Sequence, residues 1–416
     1  MDLSPFDLAA ALMAAIALIG WVNARRARLP TAVATTLAGC ATMALLLWMR
    51  HMQVGGDRLE QLIAALRRID FSKAVFSYLL GFLLFAGAMQ VDLAELRRRR
   101  FSIWSLATLG VVASAVFVGG GLWAVSRAFG LGLPLTWAVV FGTLISPTDP
   151  IAVLAAVRTG SLSKTLQVVL QGEALLNDGI GIVLFSAALL AATSGGPPDL
   201  PAIGLTVVLK AAGGLLLGLA AGWMTIVALR SLDEYVVEVT ITLAAAMVTY
   251  AAGEHLSVSG PIAVVAAGLL VGNTGVATAM SEQTQRYVHG FWELVDEILN
   301  ALLFLLLGLE AAVVQISFQI VALSAAAIVL VFASRFAVVV PWGIYLSRIQ
   351  GERAATTLLG WGGLHGALSL ALALSLPASP FRDTIMAITF AVVVASVVAQ
   401  GLSFPWLTRK IGRPRA

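Results

Sequence analysis

The chain has 416 residues, 59% of them hydrophobic and 12% charged, with a formal net charge of +4. Soluble domains carry about 25% charged residues, so a soluble enzyme or nucleic-acid-binding module is excluded, and the mean hydropathy of +0.94 identifies a chain whose solvent is lipid. The single cysteine, Cys40, excludes an intrachain disulfide, and no ~10-residue alternating segments of a transmembrane β-barrel are present.

Apolar runs predict an all-α polytopic membrane protein of about thirteen transmembrane helices. In chain order they cover 5–23, 30–49, 72–90, 102–126, 134–157, 166–192, 201–229, 236–252, 259–275, 288–312, 316–346, 354–377 and 383–408. Asp2 precedes the first run and Arg25, Arg26 and Arg28 follow it. That order is the reverse of a signal peptide and predicts an N-terminus outside. Between spans two and three, "GGDRLEQLIAALRRIDFSK" places Leu59, Leu62, Ile63, Leu66 and Ile69 on one helical face, which predicts a short amphipathic surface helix. The odd-numbered connections and the C-terminal tail gather most of the 26 lysines and arginines, among them Arg97 to Arg100, Arg409 and Lys410. This bias predicts a cytoplasmic C-terminus.

Span five contains "SPTDPIAV", which sets Ser146, Pro147, Thr148, Asp149 and Pro150 at membrane depth. Each proline removes a backbone donor and disrupts the helix, and unwound backbone is tolerated there only against protein or a water-filled cavity. Taking span seven as a linker, spans 1–6 and 8–13 form two inverted repeats, and span five corresponds to span twelve. Span twelve carries Gly360, Gly362, Gly363 and Gly366 within "GWGGLHG". The expected architecture therefore has two discontinuous crossing helices, with the ion site where they meet.

Charged residues inside spans are functional candidates by default. In span six, "GEALLNDGIGIVLF", Glu173 and Asn177 share a face while Asp178 is turned about 100° from Asn177, so one points to a cavity and the other to packing. A carboxylate in a low-dielectric cavity holds either a proton or a small cation, which is the minimal machinery of an exchanger; the alternative for Asp178 is a structural hydrogen-bonded network. Arg335 is the only arginine deep in a span. It pairs with carboxylates in a fixed fork, and we read Glu173 and Arg335 as a structural ion pair joining spans six and eleven. Glu293, Asp296 and Glu297 at the start of span ten either line a funnel that focuses negative potential or form a solvated helix start.

The ordered series "SPTDPIAV", "GEALLNDGIGIVLF", "GPIAVVAAGLLVGN", "FWELVDEILNALLFLLLGLE" and "GWGGLHGALSLALALSLP" resembles the monovalent cation:proton antiporter 1 family over roughly residues 75 to 405. That family comprises the NhaP-type bacterial antiporters and the animal sodium/proton exchangers. The resemblance implies one sodium/hydrogen exchanger domain over 1–416, with a dimerisation part at about 1–90 and 201–312 and an ion-translocating core at about 102–192 and 316–408. It implies a homodimer in the cell inner membrane that exchanges one Na⁺ (or Li⁺, or K⁺) for one proton by an elevator motion. Residue by residue, it implies that Asp178 binds the cation and the proton, that Asn177 is the asparagine of the electroneutral branch, and that Thr148 and Asp149 line the ion site. Glu173 and Arg335 match the family's ion pair.

Two positions depart from the pattern. Ala174 stands where a serine hydroxyl helps coordinate the ion, and His365 stands where arginine is usual. Histidine titrates near neutral pH, so His365 is a candidate for pH modulation; the alternative is a neutral hydrogen-bonding substitute. The expected partners are monovalent cations, protons and the lipid bilayer, with no nucleic acid, no nucleotide and no cofactor. The expected activity is transport rather than enzymatic. The runner-up reading is a K⁺/H⁺ antiporter of the same fold, and more distant readings are a cation channel or a membrane-embedded hydrolase.

Overall fold

The computed structural model describes residues 5–52, 56, 79–149, 153, 162–194, 199–311, 317–349, 351–352 and 354–411. Apart from one isolated bridge, the regular structure of the described residues is all helical, and we number the helices in chain order. They are α1 (Pro5–Val22), α2 (Thr31–His51), α3 (Leu80–Met89), α4 (Leu93–Arg98), α5 (Arg100–Ala128), α6 (Leu135–Ile145), α7 (Lys164–Thr193) and α8 (Leu200–Leu229). There follow α9 (Tyr235–His255), α10 (Gly260–Ala279), α11 (Glu282–Ala311), α12 (Phe318–Ile349), α13 (Ala355–Gly362), α14 (Ala367–Leu374) and α15 (Arg382–Ile411). Eight of them are long and apolar enough to cross a membrane. All but Gly56 of the segment read as an amphipathic surface helix, Pro150, and most of the second half of span five lie outside the described residues.

Local chemistry sets where helices begin. Asp92 caps α4 through Ala94 N at 2.8 Å, Ser163 caps α7 through Leu166 N at 3.3 Å, and Asp199 caps α8 through Ala202 N at 3.1 Å. Each side-chain oxygen satisfies a donor that the first helical turn leaves without a partner. Span ten begins at Glu282 rather than at 288, because hydropathy marks the hydrocarbon boundary while the helix continues into the polar zone.

Packing gathers the helices around three main cores. Leu122, Phe141, Ile145, Val331, Ile388 and Val393 share one core, formed largely by α5, α6, α12 and α15. Phe85, Leu229, Ala246, Val264, Val288 and Trp292 share another, formed by α3, α8, α9, α10 and α11. A third, with Ile103, Leu166, Val339, Leu358 and Phe404, ties α7 to α12, α13 and α15. Within lipid the helices gain little from hydrophobic burial against each other, so close contact at small residues carries the association. Helices α2 and α11 illustrate this: a Cβ on Gly39 would lie 2.9 Å from Gly308 Cα, and one on Gly308 would lie 2.8 Å from Gly39 Cα. On α8, by contrast, Leu205, Val208, Leu216 and Trp223 are exposed, as a lipid-facing surface requires.

Candidate functional site

Two helices stop inside the protein, and their ends meet. Helix α6 ends at Ile145, and Ser146 to Asp149 are non-helical. Helix α13 ends at Gly362, which is therefore its last helical residue rather than part of the break, and the chain becomes helical again at Ala367. Asp149 N donates to Leu364 O at 2.7 Å, which makes an isolated antiparallel bridge between the two breaks. His365 is 4% exposed, and its Nδ1 donates to the Pro147 carbonyl oxygen at 3.3 Å. A Cβ on Gly366 would lie 2.6 Å from Asp149 Cβ and 2.7 Å from its carboxyl carbon. Glycine is thus required at Gly366 by close approach.

Breaking a helix in a low-dielectric setting exposes backbone groups that need partners, and side chains from neighbouring helices supply them. Ser146 Oγ donates back to Gly142 O at 2.5 Å. Asn177 of α7 receives the next residue with both ends of its amide: Nδ2 donates to Thr148 Oγ1 at 2.8 Å, and Oδ1 accepts from Thr148 N at 3.3 Å. On the other break, Ser396 Oγ accepts from His365 N at 2.9 Å, and Gln400 Nε2 donates to Trp361 O at 3.2 Å and Gly363 O at 3.4 Å. Ser396 and Gln400 are absent from the sequence reading. Their only signal is a polar pair four residues apart in a largely apolar span.

The Glu173–Arg335 pair holds α7 to α12 and is almost entirely buried. Nη1 of Arg335 donates to Glu173 Oε1, and Nη2 donates to Oε2 at 3.0 Å. The same guanidinium donates from Nε and Nη2 to Leu359 O, at 3.3 and 3.0 Å. That carbonyl belongs to the last turn of α13, where no intrahelical donor remains. Arg335 therefore also caps the broken helix. Its guanidinium leaves no room at Gly363, where a Cβ would lie 2.6 Å from Cζ.

Asp149 and Asp178 line one cavity of about 120 Å³, with Ala174, Gln171, Asp296 and Asn300 among its other walls. Asp178 is thus turned to the void, while Asn177, 1% exposed, is turned to packing. Thr148, 4% exposed, is engaged by that asparagine behind the cavity wall. Ala174 faces the void with a methyl group where a hydroxyl would reach it. The acidic trio separates: Asp296 lines the cavity, whereas Glu293 and Glu297 are exposed. A second, wider cavity of about 740 Å³ lies further along the same face of α7, at Ile182, Phe185 and Ser186, with Phe82, Met247 and Glu254 opposite.

Residues 12–410 match the family model described as "Sodium/hydrogen exchanger, transmembrane". The chain is 41% identical over 416 residues to the Na(+)/H(+) antiporter NhaP of Pseudomonas aeruginosa, covering 98% of each chain. It is 34% identical over 347 residues to the Na(+)/H(+) antiporter NhaH of Halobacillus dabanensis, covering 82% of this chain and 84% of that one. Its fold is similar to that of the sodium proton antiporter MjNhaP1 from Methanocaldococcus jannaschii, with a TM-score of 0.70 at 18% identity and 96% of each chain covered.

Proposed function

The chain belongs to the sodium/hydrogen exchanger transmembrane family, and we propose that it is a secondary antiporter that exchanges Na⁺ for H⁺ across the membrane. The observation that carries this reading is the placing of Asp149 and Asp178 in one cavity beside two helix breaks. Carboxylate oxygens there take a small cation or a proton, and burial makes an uncompensated charge unfavourable, so the binding of one displaces the other. Asp178 is the exchanging group and Asp149 a second oxygen donor. Thr148 and Asn177 hold the unwound stretch in position through their paired hydrogen bonds.

Exchange is one-for-one and electroneutral in this reading, since Asn177 brings no second titratable charge beside Asp178 and Arg335 stays matched to Glu173. Thirteen spans in two inverted repeats account for the two meeting breaks. Residues of about 102–192 and 316–408 form the moving core, and about 1–90 and 201–312 form the static, dimerising part of a homodimer. Support for that division comes from the core that α3 shares with α8 to α11, on which α7 rests through Leu175. The protein lies in the cell inner membrane with its N-terminus outside and C-terminus in the cytoplasm, and it transports without an enzymatic step. Li⁺ is accepted with Na⁺.

Proteoliposomes or everted vesicles carrying a pH-sensitive dye test this. Na⁺ and Li⁺ pulses are expected to dissipate an imposed proton gradient at a rate independent of membrane voltage, and Asp178→Asn abolishes the response. A response that survives Asp178→Asn overturns the mechanism, and a response to K⁺ alone replaces the ion.

A further inference from the structure

The cavity that holds Asp149 and Asp178 has a third carboxylate, and it comes from the opposite wall. Asp296 sits in the middle of α11, which packs mainly with α2 and α3 and touches the broken pair through Leu303 and Ala371 of α14. Its Oδ1 accepts from Asn300 Nδ2 at 3.0 Å, one turn further along the same helix. Gln90, at the C-terminal end of α3, is a second hydrogen-bond partner of Asp296 and also lines the void. Glu293 and Glu297 are exposed, so of the three acids on this turn only Asp296 reaches the cavity. Asp296, Asn300 and Gln90 thus line, with Asp178, one cavity of about 120 Å³, and each side chain carries a hard oxygen atom. Hard oxygen donors are the ligands that small hard cations require.

Resting on the antiporter reading, we propose that Asp296 is a cation-positioning residue of the static wall: with Asn300 and Gln90 it holds the partly dehydrated cation in the cavity while it transfers to Asp178. A cation entering the cavity loses hydration water before Asp178 and Asp149 can surround it. A second carboxylate on the facing wall offsets that loss in two steps. It also raises the cation concentration beside Asp178 through its charge. When the core moves, Asp178 leaves with the cation and Asp296 stays with α11, so the two walls share the ion only in the state seen here.

The competing role is a structural one, with Asp296 clamping α3 to α11, and kinetics separates the two. Asp296→Asn is expected to raise the half-saturating Na⁺ concentration about tenfold with the maximal rate within about twofold of wild type, and Asp296→Glu restores most of the loss. Glu293→Gln leaves both parameters unchanged. Calorimetric titration of Na⁺ into the detergent-purified protein gives an independent readout, with about tenfold weaker binding for Asp296→Asn. Unchanged half-saturation and unchanged binding overturn the proposal. So does a fall in maximal rate at normal half-saturation with a lowered unfolding midpoint, which is the structural outcome. Absent exchange in wild type refutes the antiporter reading, and the calorimetric comparison still decides the role of Asp296.

Discussion

Arg335→Met removes two sets of donors in one step. Glu173, 2% exposed, loses its counter-charge, and Leu359 O at the end of α13 loses both guanidinium bonds. Deleting one partner of a buried ion pair destabilises by roughly 3–5 kcal/mol, because the remaining charge is left buried without compensation. A buried carbonyl stripped of its donors adds about 1–3 kcal/mol, and the two contributions share one side chain, so they do not simply add. Glu173→Leu combined with Arg335→Met removes the stranded charge and leaves only the carbonyl, so the double variant is expected to recover most of the loss. Arg335→Lys recovers little, since an ammonium cannot span the carboxylate and the carbonyl as a fork does. The assay is the thermal unfolding midpoint of detergent-purified protein followed by tryptophan fluorescence, with the order wild type, double variant, lysine variant, methionine variant. A methionine variant as stable as wild type, or a double variant less stable than it, refutes the reasoning.

Ala174→Ser puts a hydroxyl into the cavity wall and is expected to lower the half-saturating Na⁺ concentration about fivefold, as one added ligand of about 1 kcal/mol would; an unchanged value in the vesicle assay excludes this position from the ligand shell. Gly366→Ala drives a methyl group into the Asp149 carboxyl and should cut transport by more than about tenfold while the protein still elutes as a folded species; near-normal transport would show that Asp149 need not be held there. His365 is enclosed, with its Nδ1 on the Pro147 carbonyl oxygen, so its expected role is to space the two breaks. Activity–pH profiles of wild type, His365→Ala and His365→Arg should therefore share one shape even where their heights differ, and a displaced profile would make His365 a pH-modulating residue.

Legibility in the sequence followed the physics of each feature. Prolines at Pro147 and Pro150 and the glycines from Gly360 to Gly366 announce interruptions, because those residue types act on the backbone directly. Glu173 and Arg335 could be matched from 162 positions apart because few ions lie deep in apolar runs and each needs an opposite charge. The capping of Leu359 O by that same arginine was not legible, since any carbonyl is a possible acceptor and sequence does not mark which one is orphaned. Ser396 and Gln400 escaped for the same reason: they bond to backbone atoms of another span, and such bonds leave no spacing pattern. The division among Glu293, Asp296 and Glu297 needed the direction in which α11 turns its faces, which follows from packing against α2 and α3.

The two cavities on α7 also set a length. Asp178 lies in the first and Ser186 in the second, eight residues of helix and therefore about 12 Å apart at 1.5 Å per residue. Ile182 of α7, on the wall of the second, and Leu368 of α14, on the wall of the first, both pack onto the core of α3 and α8 to α11. The helix is in effect a ruler with a stopper at its midpoint. The apolar side chains at that midpoint oppose the passage of a bare cation from one void to the other.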